Sequence, residues 1–170
     1  DSFVPHYINR EMTIPDQMEA SIPFMIDRYD VQKYIAYFQA YSNTYDELEK
    51  LKCMYEEAVS YPNVVGLDIG TRSDCIDEAL LEYLAKLNEK VQVTLEYGIV
   101  SIYDETLDWM NRGHDYESVR RAIDLTKQYG IKVAGHIILG FPVESREMML
   151  QTGLAANDLE LDFLKIHQLH

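Results

Sequence analysis

Polar side chains able to do chemistry recur along this chain, each in the later part of a short apolar segment. They are Gln39, Asp68, Thr94, Glu96, His136, Lys165 and His167. Carboxylates with imidazoles can bind a divalent cation, and a carboxylate pair can act as acid and base. The sequence contains no HxH or HExxH pair, and His167 and His170 would face opposite sides of a strand. These residues therefore predict a polar ligand-binding surface more than a metal site.

Three motifs combine glycine with a cation or an aromatic ring. They are residues 70–72 (Gly-Thr-Arg), 111–114 (Asn-Arg-Gly-His) and 139–142 (Leu-Gly-Phe-Pro). An arginine can hold a carboxylate through two parallel hydrogen bonds, which makes Arg72 and Arg112 candidate anion ligands. Glycine lets a backbone approach a ligand closely, as Gly140 would. Each motif also fits an ordinary strand exit or helix end, so none identifies a site by itself.

Apolar segments of two periods alternate along the chain. Segments with the pattern of strands span residues 33–39, 63–70, 91–98, 131–140 and 161–169. Segments at helical spacing lie between them. Thr13 should cap a first helix that Pro23 kinks or ends, and residues 44–47 match a capping box for the next helix. Asp115 should cap a longer helix that stops before Gly130. This alternation predicts parallel βαβ units.

The positions of the polar residues decide between an open sheet and a barrel. In each strand one parity is mostly apolar while the other carries the polar side chains. An open doubly wound sheet buries both faces against helices, where each polar group would need its own partner. A barrel places the polar parity in its lumen near the carboxyl-terminal mouth, where α/β barrels carry their chemistry. Because too few strands are present to close a standard barrel, the expected fold class is α/β with a partial parallel (β/α) barrel.

Composition limits the classes of function. The chain has 170 residues, with 15 Lys+Arg against 29 Asp+Glu and a formal charge of −14. This balance argues against a phosphate-backbone footprint, which needs clustered cations. We expect neither a membrane span nor a signal peptide, because no apolar run is long enough. Cys53 and Cys75 form no disulfide framework, so a cytoplasmic location is expected. The acidic neighbours of Cys75 would raise its pKa and make it a poor nucleophile.

Taken in order, these motifs resemble the radical S-adenosylmethionine (radical SAM) superfamily. The resemblance is carried by residues 34–44, 67–74, 95–101, 106–114 and 136–142. They look most like a branch related to the oxygen-independent coproporphyrinogen oxidases and the elongator-type radical enzymes. The resemblance implies a partial (β/α)6 barrel without its first strand. Residues 1–170 would then form part of a radical SAM core domain, with strands two to six.

The resemblance also implies a pocket for S-adenosylmethionine. Asp68 stands at an acidic position near that cofactor, and Arg112 at the position that pairs with the cofactor's carboxylate. His136 stands where relatives place a polar ribose contact. Val100 departs from the pattern, because relatives commonly have Gln there, which removes one ribose contact.

Two loop motifs complete the implied pocket. Residues 39–44 occupy the place of the motif that holds the methionyl amino group, and they begin with Gln39, Ala40 and Tyr41. The motif that lies along the adenine is matched by Gly140, Phe141 and Pro142. Residues 143–144 (Val-Glu) stand where relatives commonly have Gly-Glu or Gly-Gln.

The CxxxCxxC loop that holds the [4Fe–4S] cluster in this superfamily is absent from the chain. In the branch that it resembles, a segment like residues 1–3 follows the last of these cysteines, so the chain is expected to begin just after the loop. Three thiolates hold such a cluster. We therefore expect the cluster only in a full-length protein, which would abstract hydrogen from a substrate through a 5′-deoxyadenosyl radical. We expect this segment alone to be inactive.

Substrate and partners stay open at this point. Relatives act on tetrapyrroles, tRNA and small metabolites, but the charge of −14 gives a tRNA substrate no support here. One alternative function is a metal-dependent hydrolase barrel that uses Asp68, His136 and His167. Another is a non-catalytic barrel fragment that serves as an interaction module and dimerises through an exposed barrel edge.

Overall fold

Strands and helices alternate along the part of the chain that the computed structural model describes, residues 12–39 and 41–169. The strands are β1 (Tyr34–Phe38), β2 (Val64–Thr71), β3 (Gln92–Val100), β4 (Lys132–Leu139) and β5 (Phe163–Gln168). The helices are α1 (Ile14–Tyr29), α2 (Leu48–Ser60), α3 (Glu78–Asn88), α4 (Asp104–Trp109), α5 (Tyr116–Gln128) and α6 (Arg146–Asp158). Each predicted strand is present, with bounds that differ by a few residues.

The strands form a single parallel sheet in the order β1-β2-β3-β4-β5. Each helical connection joins a strand to its neighbour, so the sheet grows in one direction and can curl around one face. It does curl, because the side chain of Lys165 on β5 reaches that of Tyr37 on β1. The architecture is a partial α/β barrel, as the strand parity predicted.

The apolar parity of the strands packs against the helices. Leu67, Ile69, Val93, Leu95, Val133 and Ile137 are fully buried in one core. The helices meet them with apolar side chains such as Tyr55, Leu84 and Ile123. Tyr55 also makes an edge-to-face contact with Phe38 of β1, with ring centroids 5.4 Å apart. The opposite parity, on the concave face, carries the polar side chains of the site.

Two expectations about helix α1 have different outcomes. Thr13 is its N-cap, and the capping box with Asp16 is complete. A stop at Pro23 is wrong, because α1 runs through Pro23 to Tyr29. The alternative, a kink at Pro23, stays a prediction. No residue of α1 is fully buried. Solvent can therefore bind the carbonyl that Pro23 leaves without an N–H partner.

The capping box predicted at residues 44–47 is also wrong. Helix α2 begins at Leu48 with Glu47 as its N-cap, and no side chain caps it. The hydroxyl of Thr44 is buried instead. It is 2.5 Å from the hydroxyl of Thr71 and donates to the carbonyl of Cys75. Tertiary partners on the β2 side thus replace the local cap, and they tie the loop after β1 to the end of β2.

The remaining helix signals predicted from sequence are confirmed. Asp115 caps α5 by accepting a hydrogen bond from the amide of Ser118, and Gly130 follows that helix with a φ of +69°. Ser145, for which no prediction is made from the sequence, caps α6 in the same way. No helix among the described residues is long and apolar enough to cross a membrane.

Candidate functional site

Glu96 lies at the centre of the concave face. Its side chain is 3% exposed, and its carboxylate contacts polar side chains from three other strands. Tyr37 of β1 donates its phenol proton to Oε1, and Nε2 of His136 on β4 lies against the same oxygen. Lys165 of β5 donates to Oε2 at 2.8 Å. Together with Asp68 of β2, these residues form the lumen cluster: Tyr37, Asp68, Glu96, His136 and Lys165.

The contacts of Glu96 set its charge. Burial alone would raise the pKa of this carboxyl, but hydrogen bonds from His136, Lys165 and Tyr37 outweigh it and lower the pKa to about 2. Burial and the bond to Glu96 raise the pKa of Tyr37 to about 12. Burial opposes the charge of Lys165, yet the bonds to Glu96 and Tyr37 still raise its pKa. The cluster therefore contains a fixed carboxylate, a fixed ammonium and a neutral phenol at neutral pH.

Asp68 contributes an unpaired acceptor to the lumen cluster. Its Oδ1 atom is buried and has no hydrogen bond. Burial, followed by the charge of Glu96, raises its pKa to about 6. Buried acceptors without a partner are rare in folded proteins. An open acceptor at this place can take a hydrogen bond from an N–H or O–H group of a ligand.

Arg112 lies at the carboxyl end of β3. It is half-buried, its Nη2 donates to the carbonyl of Gly98 at 3.2 Å, and its Nε atom is buried without a partner. Among the described residues it has no ion-pair partner. Burial, followed by the charge of Arg72, lowers its pKa. A cation that is buried in this way and lacks a carboxylate is suited to bind one from a ligand.

Gly98 leaves room for the guanidinium of Arg112, because it has no Cβ atom. A Cβ atom there would lie 2.5 Å from Nη2 of Arg112, which is closer than any real contact. The register of β3 shifts between Gly98 and Val100, and Val100 has a φ of +69°. A β-branched residue at positive φ is strained, and such strain concentrates at functional sites. Val100 itself is buried with Leu107 and Phe141.

Arg72 does not offer a free guanidinium. It holds Asp74 through two hydrogen bonds of 2.8 and 2.6 Å, and these bonds lower the pKa of Asp74 to about 2. His114 is half-buried beside Arg112, and its Nε2 atom is buried without a partner. Burial lowers the pKa of His114. The guanidinium of Arg72 therefore already binds a carboxylate, that of Asp74 in its own loop, and is not available to bind one from a ligand.

The loops after β3 and β4 are joined by a buried polar pair. Ser101 donates to Glu144 at 2.5 Å, and both side chains are buried. The second oxygen of Glu144 has no partner. Gly140 has a φ of +104°, which favours glycine. The ring of Phe141 is buried and packs against Trp109 with centroids 6.2 Å apart, so this ring does not face a ligand.

The structure brings some predicted site residues together and separates others. Asp68 and His136 share the lumen cluster, while Arg112 is at the mouth of the barrel near the end of β3. Gln39 and Tyr41 are exposed at the end of β1, and Tyr41 has a φ of +66°. Ala40 lies outside the described residues, as do residues 1–11 and His170.

Sequence reasoning missed two members of the cluster as site residues. Tyr37 is not among the candidate residues named from the sequence, although it shares the parity of Gln39. Lys165 was recognised as polar and lumen-facing but was given no role. The parity of β1 and β5 was the available signal for both residues. It could not show that they meet.

The described residues contain no group of three His, Cys, Asp or Glu side chains that could hold a metal ion. The rings of His136 and His167 have centroids 5.0 Å apart and are tilted by 39°, but with Asp68 they form no such group among the described residues. Cys53 is exposed on α2, and Cys75 is partly exposed in the loop after β2.

The chain was compared with known proteins. A family model described as the radical SAM superfamily matches residues 6–154. YtqA of Bacillus subtilis is 38% identical over 146 residues, which make up 86% of this chain and 45% of YtqA. YhcC of Escherichia coli is 41% identical over 140 residues, or 82% of this chain and 45% of YhcC. The chain thus spans less than half the length of these relatives.

A solved structure confirms the fold. Elp3 of the archaeon Methanocaldococcus infernus, with an N-terminal deletion, has a TM-score of 0.74 and 23% identity over 92% of this chain and 41% of that chain. At this identity structural likeness speaks for the fold alone. It agrees with the family match, which covers most of the chain. The protein therefore belongs to the radical SAM superfamily and has the partial α/β barrel of that superfamily.

Proposed function

We propose that this chain forms the S-adenosylmethionine-binding wall of a radical SAM enzyme. The observation that carries the proposal is Arg112, a half-buried cation with a buried Nε atom that has no partner. Asp68 supplies an open acceptor in the neighbouring lumen. A cation and an acceptor are the two groups needed to hold the carboxylate and the ammonium of an amino-acid moiety. The residues present therefore fit the cofactor.

Each residue of the proposed pocket has a role that its place allows. Arg112 binds the methionyl carboxylate, and Gly98 leaves space for the guanidinium. Asp68 accepts a hydrogen bond from the polar end of the cofactor, and His136 contacts the ribose. These assignments follow the resemblance of the motifs, and the buried atoms without partners support them.

The loops supply the remaining contacts. In the proposed pocket, residues 39–44, with Gln39, Ala40 and Tyr41, line the methionyl amino group. The backbone of Gly140, Phe141 and Pro142 lies along the adenine. The buried ring of Phe141 supports a backbone contact, because it holds that segment in place from behind.

The chemistry of the enzyme needs more than this chain. When bound beside a reduced [4Fe–4S] cluster, the cofactor supplies a 5′-deoxyadenosyl radical that abstracts a hydrogen atom from a substrate. The residues of this chain bind and orient the cofactor and line the lumen where a substrate would lie. The cluster would be held by the longer protein, because this chain has only two cysteines, Cys53 and Cys75, which are too few for a three-thiolate site.

Binding of S-adenosylhomocysteine tests the proposal. We expect the intact protein to bind it in calorimetry, and Arg112→Met to weaken binding by at least about tenfold, the loss of a charge-assisted hydrogen-bonded pair. The matched control is Arg120→Met, which removes an exposed arginine of α5. Equal affinities of wild type and Arg112→Met would count against the pocket.

The reaction is tested separately. We expect the intact protein, with its cluster reconstituted and a reductant present, to form 5′-deoxyadenosine. We expect the 170-residue chain to form none under the same conditions. Formation of 5′-deoxyadenosine by this chain alone would refute the division of roles proposed here.

Dimerisation through an edge strand stays a prediction. β1 and β5 are the edge strands of the described sheet, and Ile166 on β5 is 63% exposed. Light scattering of the chain checks it, and a monomer would contradict it.

A further inference from the structure

Tyr37, Glu96 and Lys165 form a hydrogen-bonded triad. One N–H donor of this triad is not used within it. An ammonium has three N–H donors. Lys165 uses one on Tyr37 at 2.7 Å and one on Glu96 at 2.8 Å. Its side chain is 42% exposed, whereas that of Glu96 is 3% exposed. The third donor of Lys165 is therefore free to meet a ligand on the concave face.

Glu96 has little left to offer that ligand. One of its oxygens receives Tyr37 and lies against His136, and the other receives Lys165. The phenol proton of Tyr37 is used on Glu96 as well. A ligand that reaches the triad consequently meets a positively charged donor and no acceptor. The group that fits is an anion with an oxygen that accepts a hydrogen bond.

Burying the carboxylate of Glu96 costs free energy, and this cost suggests that the triad has a role beyond stabilising the barrel. Taking a carboxylate out of water costs several kcal/mol, and apolar side chains of similar size often stabilise a protein equally well. Here the buried carboxylate holds an ammonium in one place with one donor unused. A structural link between β1 and β5 would not require the spare donor or the exposure of Lys165.

Charge on the concave face indicates which anion fits. Asp68 and Glu96 already place two carboxyl groups there, and both interact with Lys165. Like charges repel, and the repulsion of an added anion by these carboxyl groups grows with the charge of the anion. A doubly charged phosphate would meet this repulsion twice, so a singly charged carboxylate is favoured.

We propose that Lys165, held by Glu96 and Tyr37, anchors a carboxylate of the substrate inside the barrel. This inference rests on the proposed function, which gives Asp68 and His136 of the lumen cluster to the cofactor and leaves Lys165 to the substrate. The site differs from that of Arg112, whose guanidinium bonds to Gly98 at the end of β3. The structure then has two anion sites, one at the mouth for the cofactor and one in the lumen for the substrate.

Benzoate and its neutral isostere benzamide are suitable probes. We expect ligand-observed NMR on the intact protein to show saturable binding of benzoate but not of benzamide. Lys165→Met should lower the affinity for benzoate by at least about tenfold, as expected for loss of a charge-assisted hydrogen bond. Lys132→Met is the matched control, because Lys132 donates to Gln92 on the neighbouring strand and is not in the triad. It should bind benzoate as the wild type does.

A second variant addresses folding. Lys165→Met leaves Glu96 without its cation, whereas Lys165→Met combined with Glu96→Gln leaves a neutral pair. We expect this double variant to fold, as judged by circular dichroism, and still to bind benzoate at least about tenfold more weakly. Unchanged benzoate affinity in a folded Lys165 variant would overturn the proposal. So would equal binding of benzamide, or no saturable binding of benzoate by the wild type.

The two proposals fail in different ways. Titrations are repeated with saturating S-adenosylhomocysteine, which fills the Arg112 site if the proposed function is correct. Benzoate binding that persists there and depends on Lys165 supports the lumen site. Benzoate that is lost in Arg112→Met but kept in Lys165→Met overturns it. If S-adenosylhomocysteine does not bind at all, the proposed function fails, while the Lys165 dependence of benzoate still tests the lumen site.

Discussion

The ammonium of Lys165 lies 2.7 Å from the phenol oxygen of Tyr37, although 128 positions separate the two residues. They lie on the two edge strands of the described sheet. In a flat sheet these strands would be about 19 Å apart, four spacings of about 4.8 Å. The side chains can meet only because the sheet curls. The curl brings polar groups from all the strands to Glu96.

The pair of Glu96 and Lys165 should be strongly coupled in stability. Lys165→Met leaves the Glu96 carboxylate buried without a cation, so we expect a loss of about 2 kcal/mol in the free energy of unfolding. This is below the 3–5 kcal/mol typical of fully buried pairs, because Lys165 is partly exposed. The combined Glu96→Gln and Lys165→Met variant should recover at least about half of that loss. Urea unfolding of Lys165→Met, Glu96→Gln and the double variant measures the coupling, and additive losses would contradict it.

Asp68 should make stability depend on pH. Its pKa rises from 3.8 to about 6 in the folded state, through burial and the charge of Glu96. Between these values the folded state holds a proton that the unfolded state has lost. The free energy of unfolding therefore falls as pH rises through this window. Above about pH 6 the full loss of stability from ionising Asp68 is present.

Asp68→Asn removes the ionisable group and with it the loss of stability at high pH. We expect it to raise the free energy of unfolding by at most about 3 kcal/mol near pH 7.5 and to have little effect near pH 4. Urea unfolding at the two pH values checks this. Asp124→Asn, which removes an exposed carboxylate of α5, is the control and should show no such difference. An equal gain from Asp68→Asn at both pH values would rule out the titration of Asp68 as its cause.

Gly98→Ala should displace Arg112. The added Cβ atom would lie 2.5 Å from Nη2 of Arg112, so the guanidinium must move away from the carbonyl that it binds. We expect affinity for S-adenosylhomocysteine to fall by at least about tenfold, measured by calorimetry. Gly153→Ala is a matched control in helix α6, because nothing lies within 4 Å of its added Cβ. That control should keep the affinity and gain roughly 0.5–1 kcal/mol in stability.

Thr44→Val tests the buried link between the loop after β1 and the end of β2. The hydroxyl contacts Thr71 and Cys75, and its loss leaves a carbonyl and a hydroxyl without their partner. We expect a loss of roughly 1–3 kcal/mol in the free energy of unfolding, measured by urea denaturation. Ser60→Ala removes an exposed hydroxyl that bonds within α2 and should change stability by less than about 0.5 kcal/mol. Equal effects of the two variants would show that the buried contacts contribute nothing.

Local patterns in the sequence predicted much of the fold. The alternation of strands and helices, the caps at Thr13 and Asp115, and the apolar faces of the strands depend on residues a few positions apart. The two local errors have a common origin. Thr44 finds partners on β2 in place of a cap, and Pro23 is tolerated because α1 is not fully buried. In both cases the environment of the residue, which the local pattern does not describe, decided the outcome.

The sequence by itself determined which side chains share the concave face, because successive residues of a strand point to opposite sides. It also placed the motifs in the order of the radical SAM superfamily. Only the tertiary structure decided that Glu96 is the centre of the cluster and that Lys165 and Tyr37 meet there. It alone showed that Arg112 crosses Gly98 with a buried Nε atom left unpaired. The physical reason is that parity is a property of one strand, whereas these distances depend on the register between strands and on the curl of the whole sheet.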